Sequence, residues 1–176
     1  SSDSLAFGTN AGNTSQGTLS TAVGFQAGMT NQGASAIALG MSAGTNTQAT
    51  GAVAIGSRAG NATQGENSVA IGKDAGTSVQ GVDSVAIGKD AGRSFQQTQA
   101  IAIGTGAGRT SQDSYTTAVG YNAGNDGQGI YSVAVGYLSG EADQGLQSVA
   151  VGSEAGRTTQ GAYSVALGYQ AGRTLQ

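Results

Sequence analysis

The chain has 176 residues, a net charge of −3, 32 glycines and no proline, cysteine, histidine or tryptophan, with 10% of residues charged, where a soluble domain usually carries about a quarter. Seven basic residues spread along the chain form no nucleic-acid footprint, and without cysteine or histidine there is no disulfide framework, no thiol chemistry and little scope for a transition-metal site. No apolar run reaches transmembrane length, so this segment is not expected to insert directly into a membrane.

Glutamine recurs every sixteen residues, at Gln16, Gln32, Gln48, Gln64, Gln80, Gln96, Gln112, Gln128, Gln144, Gln160 and Gln176. The chain is eleven copies of one sixteen-residue unit, and a fixed short period indicates stacked coils rather than a globular core. The glycines keep strict phase with it, which argues against disorder. Residues 1–176 read as a single repetitive domain, and a chain that starts and stops in phase reads as a segment of a longer fibrous protein. With slots counted from the residue after each glutamine, the consensus is G-x-x-S-V-A-I-G-x-x-A-G-x-x-x-Q.

The first predicted element of each unit is a short strand over slots 3 to 8. Slot 5 is β-branched in every unit but the first, and slot 7 holds Val or Ile except at Phe7, Leu39 and Leu167. Such residues are stiff at χ1 and pack well on a pleated surface. Slot 6 is alanine and slot 8 glycine in all eleven units. A turn follows through the Ala-Gly of slots 11 and 12, where glycine permits positive φ. Slots 13 to 16 form a second extended segment, and Gln-Gly at the unit boundary makes the second turn. Two short strands and two turns per unit describe an all-β fold, a parallel β-roll solenoid of eleven coils, with each strand beside its own copy at about 4.8 Å. A helix is excluded, because the apolar residues recur at i, i+2 rather than i, i+3, i+4.

Side chains alternate along a strand, so slots 5 and 7 share a face with slots 3 and 9, and the small slots 4, 6 and 8 share the other. Two arrangements follow. Either Val and Ile point into the roll, or the small face lines a thin lumen against slots 14 and 16 and Val and Ile point outward, to be covered by other chains. An invariant alanine favours the second, since a tight lumen admits nothing larger. Bare Val/Ile columns would also exceed the few hundred Å² or so that a monomer tolerates, so the isolated chain is not expected to be a stable monomer. The glutamine column is expected to be a structural amide ladder running from coil to coil.

No enzyme is expected, because the usual bases and thiol nucleophiles are absent. Asp74 and Asp90 stack in slot 10 beside Lys73 and Lys89, which reads as a solvated turn with local charge pairing rather than a cation site. No P-loop and no calcium-binding nonapeptide occurs, and no cofactor is implied. The aromatic residues carry the one recognition signal. Tyr115, Tyr131 and Tyr163 occupy slot 3 and Tyr121, Tyr137 and Tyr169 slot 9, all in the last four units, while Phe25 and Met41 stack in slot 9 nearer the start. The tyrosines are expected either to rim a chain-to-chain interface or to form a recognition patch, since tyrosine is an efficient contact residue for proteins and glycans.

The strand motif is distinctive: Asn67-Ser68-Val69-Ala70-Ile71-Gly72 and Ser84-Val85-Ala86-Ile87-Gly88, with close variants at 132–136, 148–152 and 164–168. It resembles the NSVAIG repeat of trimeric autotransporter adhesin heads of the Yersinia adhesin type. The resemblance implies a left-handed parallel β-roll in a homotrimer, displayed on the bacterial outer membrane and binding a host-matrix protein or glycan receptor. Two features depart from that family: its unit is shorter, and it lacks the constant Ala-Gly-x-x-x-Gln half. A viral or phage fibre shaft on the virion surface is the alternative, and an ice-binding solenoid a more distant one.

Overall fold

Every strand pairs with its own copy sixteen residues away. The computed structural model describes residues 3–175; Ser1, Ser2 and Gln176 lie outside the described residues. One parallel sheet has eleven strands, from Leu5–Phe7 to Val165–Leu167, and a second has ten, from Thr14–Gln16 to Thr158–Gln160. The register never slips: Ala86 lies between Ala70 and Ala102, and Gln112 between Gln96 and Gln128. The all-β parallel solenoid of sixteen-residue coils is the observed architecture, with no helix among the described residues.

Hydrogen bonding continues around the corners. The Gln26 amide donates to the Thr9 carbonyl (2.9 Å), Ser35 to Thr18 (2.9 Å) and Gly28 to Ala43 (2.9 Å). Turn peptides are thus satisfied by the neighbouring coil as strand peptides are, which removes the penalty for burying them.

The lumen is built from small side chains. The slot 6 alanines Ala22, Ala86 and Ala102 and the slot 11 alanines Ala27, Ala91 and Ala107 are all 0% exposed. Slots 5 and 7 point outward, with Ile37, Leu39 and Ile103 exposed and Val133 and Val135 half-buried. The outward arrangement of the Val/Ile columns is therefore the one adopted.

Three expectations change. The first strand covers slots 5 to 7, not 3 to 8, because slot 3 sits in the left-handed region: Asn67 at φ 53°, Tyr115 at 62°, Tyr131 at 59°. Tyrosines at slots 3 and 9 are consequently turn residues flanking the strand and not members of its outer face. Slot 14 is not a lumen position; Thr14, Asn46 and Thr158 are exposed. The slot 11 alanine takes that place, since the left-handed glycine at slot 12 (Gly76, φ 53°) resets the alternation of sides.

The second sheet has two local forms. In most coils slot 15 is also left-handed, as at Ser111 (φ 53°) and Asp143 (φ 51°), and only slots 14 and 16 pair across coils. Thr47, Thr63 and Val79 do not adopt positive φ, and their strands are two residues long. The cause is steric, because β-branched side chains resist that region; Thr159 (φ 49°) is the one β-branched residue that accepts it. Where the two forms meet, pairing thins to Gln32↔Gln48 and Gln80↔Gln96.

Candidate functional site

The glutamine column sits inside the coil, on the second sheet and facing the first. Gln96 and Gln112 are 0% exposed, and Gln32 to Gln160 are all buried. From Gln16 to Gln160, each Nε2 donates across the lumen to the slot 5 carbonyl of its own coil. Examples are Gln16 to Leu5 (2.9 Å), Gln64 to Val53 (2.7 Å), Gln80 to Val69 (2.7 Å) and Gln160 to Val149 (2.9 Å). Amide-to-amide bonds join Gln32 to Gln48, Gln96 to Gln112, Gln112 to Gln128 and Gln144 to Gln160, at 3.1–3.3 Å, each Nε2 donating to the Oε1 of the following coil, so the ladder is interrupted rather than continuous. The amide is thus first a cross-brace within a coil and second a rung between coils. A side chain long enough to cross the lumen and able to donate at its tip is needed there, which glutamine supplies.

The carbonyl ends of Gln64 and Gln80 meet no N–H or O–H donor. Each lies against a slot 12 glycine, 2.6 Å and 2.7 Å from where a Cβ on Gly60 or Gly76 would stand. The glycine thus clears space for the amide and offers it Cα–H groups, a weak but recurring kind of contact.

Slot 4 closes the other corner. The Ser68 and Ser84 hydroxyls donate to the Gly65 and Gly81 carbonyls at 2.7 Å. Ser84→Ala is expected to cost about 1 kcal/mol, the net worth of one such bond, because slot 4 already holds Ala36, Ala52 and Ala100 at 0% exposure. Denaturant unfolding of the variant measures this.

The tyrosines form two separate ladders. Tyr115 stacks on Tyr131 (centroids 5.1 Å apart, 17° between planes) and Tyr121 on Tyr137 (5.5 Å, 13°). All four are about half exposed, while Tyr163 and Tyr169 in the last coil are more exposed at 74% and 73%. Phe25 and Met41 are likewise exposed.

Among the described residues, eight of the charged side chains form ion pairs. Asp74 is buried, and its carboxylate accepts two bonds from Arg58, at 2.6 and 2.9 Å. Its partner is this arginine one coil earlier and not the adjacent Lys73; writing the sequence sixteen residues wide puts Arg58 directly above Asp74 in slot 10. Asp90 lies 3.8 Å from Arg93. Arg157 bonds Glu141 (2.6 Å) and Glu154 (3.2 Å), and Arg173 reaches Glu154 at 2.9 Å. Among the described residues no cluster of three His, Cys, Asp or Glu is placed to hold a metal ion.

Hydrogen bonding from Arg58, aided by its charge and opposed by burial, holds the Asp74 carboxyl below its ordinary value. A lowered folded pKa means that the pair stabilises the fold above the unfolded carboxylate pKa of about 3.9 and loses that contribution as pH falls through the lower folded value. The melting-temperature difference between the native chain and Asp74→Asn is expected to be level from neutrality to about pH 5 and to shrink below about pH 4. A gap that instead widened on acidification would contradict this pairing.

Residues 64–91 match two copies of the YadA head domain repeat. The match spans the strands Val69–Ile71 and Val85–Ile87. Together with the β-solenoid it fits the head of a trimeric autotransporter adhesin. No curated protein and no solved structure matches the chain.

Proposed function

We propose that the chain is an adhesive head or shaft segment that works as a homotrimer at a bacterial surface, with anchorage outside residues 1–176. The observation that carries this reading is the uncovered apolar face. The repeated residues at slots 4, 6, 11, 12 and 16 are used in the lumen and its braces, yet the Val/Ile columns still lie on the outside of the roll. Two columns along eleven coils present roughly 500 Å² of continuous apolar surface, from the strand spacing and rise, near the upper limit for a monomer. Packing three copies around that face covers it. Recognition of a host-matrix protein or glycan then falls to exposed slots that vary from coil to coil, such as Phe95 (56% exposed) and Arg109, just before the second strand of its coil.

Mass measurement in solution tests the assembly. Three copies per particle are expected, and a soluble monomer with a native melting transition would overturn the reading. Binding of the trimer to immobilised matrix proteins and glycans tests the adhesive role. A virion fibre shaft would use the same rod and the same covered face, and the departure of the sixteen-residue unit from the shorter adhesin unit favours it as the second reading. The flanking sequence separates the two: a four-strand outer-membrane anchor accompanies an adhesin, a virion assembly domain a fibre.

A further inference from the structure

We propose that a depression on the second sheet, between Asp113 and Asp143, receives an arginine side chain of a partner protein. The matrix-protein reading above supplies the source of that side chain; the chemistry of the depression stands apart from it.

The depression measures about 500 Å³, and Asp113, Gly127, Gly129, Ile130, Asp143 and Leu146 are among the residues that line it. Its size falls within the roughly 300–1,000 Å³ usual for small-ligand sites. It lies across the lumen from the Val/Ile columns, so it stays open when other copies cover them.

In a chain of equal coils, departures from the repeat stand out. Gly127 is the one glycine in slot 15, Asp143 the one acid there, and Asp113 the one acid in slot 1. Ile130 and Leu146 are the largest apolar side chains in slot 2. All five border the same depression.

The fold does not require a glycine at 127. Its φ of 68° lies in the left-handed region that Ser111 (53°) and Asp143 (51°) also adopt in slot 15. The nearest atom to an added Cβ is an Asp143 carboxylate oxygen at 3.3 Å. With Gly129 beside it, the missing side chain leaves a notch between two carboxylates.

Charge and shape select the occupant. Asp113 and Asp143 are exposed and join none of the ion pairs among the described residues, and Arg157 is already committed to Glu141 and Glu154. The two aspartates sit close to two coils apart, about 9 Å by the coil spacing. A planar guanidinium donates from more than one edge and can address carboxylates on opposite sides, whereas an ammonium is a single point. Ile130 and Leu146, each 43% exposed, offer apolar cover for the methylene stem. Among the described residues no three acidic groups converge, so a divalent cation would be under-coordinated. No aromatic ring lines the depression for a sugar to stack on.

Titration of the native chain with acetyl-Gly-Arg-Gly amide, followed by the backbone amide NMR shifts of Gly127 and Gly129, tests the site. The arginine peptide is expected to bind about tenfold or more tighter than the same peptide with citrulline, its neutral isostere, since a hydrogen bond to a charged group is worth that much. Asp113→Asn and Asp143→Asn are each expected to weaken binding about tenfold. Gly127→Asn is expected to do the same with an unchanged melting temperature, because slot 15 already accepts Asn31 at φ 51°. Glu66→Gln, which removes an equal charge in coil 5, is expected to leave binding as it was. Equal binding of the arginine and citrulline peptides, or an equal loss in Glu66→Gln, overturns the site. So does movement of the same shifts by a neutral oligosaccharide with no response to arginine. Matrix-protein binding that survives Asp113→Asn with Asp143→Asn overturns the site and leaves the adhesive reading standing. Peptide binding by a chain that holds no matrix protein supports the site and removes that reading.

Discussion

Gln112→Ala is expected to destabilise the fold by about 4 kcal/mol or more. The side chain is 0% exposed. It donates to the Ile101 carbonyl at 2.8 Å and to Gln128 Oε1 at 3.1 Å, and it accepts from Gln96 Nε2 at 3.1 Å. Truncating a buried side chain of this size costs about 2–5 kcal/mol in lost contacts and cavity. Each polar group left buried without its partner adds about 1–3 kcal/mol. Here the Ile101 carbonyl and the Gln128 oxygen lose their donors, whereas Gln96 keeps its bond to the Val85 carbonyl (2.8 Å). Gln112→Glu is expected to be at least as damaging, because a carboxylate cannot donate to Ile101 and would bury a charge. Denaturant unfolding measures the loss. Because a repeat array couples nearest neighbours, hydrogen exchange should quicken first in the coils beside Gln112. A loss below about 1 kcal/mol would mean that the cross-brace is not needed.

Gly72→Ala is expected to cost about 3–5 kcal/mol, through backbone alone. Gly72 has φ 127°, a region essentially restricted to glycine, where another residue costs about 1–3 kcal/mol. An added Cβ would stand 2.6 Å from the Gly88 oxygen and 2.8 Å from its carbonyl carbon. That carbonyl cannot step aside freely, because the Gly88 amide is held to the Ile71 carbonyl at 2.8 Å. Overpacking of this kind adds about 1–3 kcal/mol. Gly168→Ala separates the two contributions: it has φ 114° but nothing within 4 Å of the new Cβ. It should therefore show only the conformational part, about 1–3 kcal/mol. Equal losses at both positions would show that coil spacing places no steric demand on slot 8.

The stacked-coil architecture was legible in the residues because a period leaves no freedom. Gln16 to Gln160 at a constant interval, with alanine always at slot 6 and glycine at slots 8 and 12, admit only equal coils in unshifted register. The invariant alanine also pointed to a tight lumen, where Ala86 and Ala102 now lie fully enclosed. The corners were less legible. A tyrosine at φ 62°, as at Tyr115, carries no compositional cue of its own, although Asn67 and Asp83 in the same slot tolerate that region better and hinted at it. The two forms of the second sheet follow from β-branching at Thr47, Thr63 and Val79, visible only once slot 15 is known to turn left-handed elsewhere.

The sequence by itself determined the period, the register and the existence of a polar column in phase with the coils, because each depends only on what repeats; that the slot 6 alanines and the glutamines end inside the roll came from the structure. Tertiary structure decided where that column bonds. Gln80 reaches Val69 (2.7 Å) because two segments eleven residues apart face each other across a lumen, whose width is set by the alanines of slots 6 and 11. It also decided that Asp74 pairs with Arg58 and not with Lys73, and that the valines and isoleucines end on the outside. Those outcomes depend on distances between coils and across one coil, which a linear pattern of residue types does not contain.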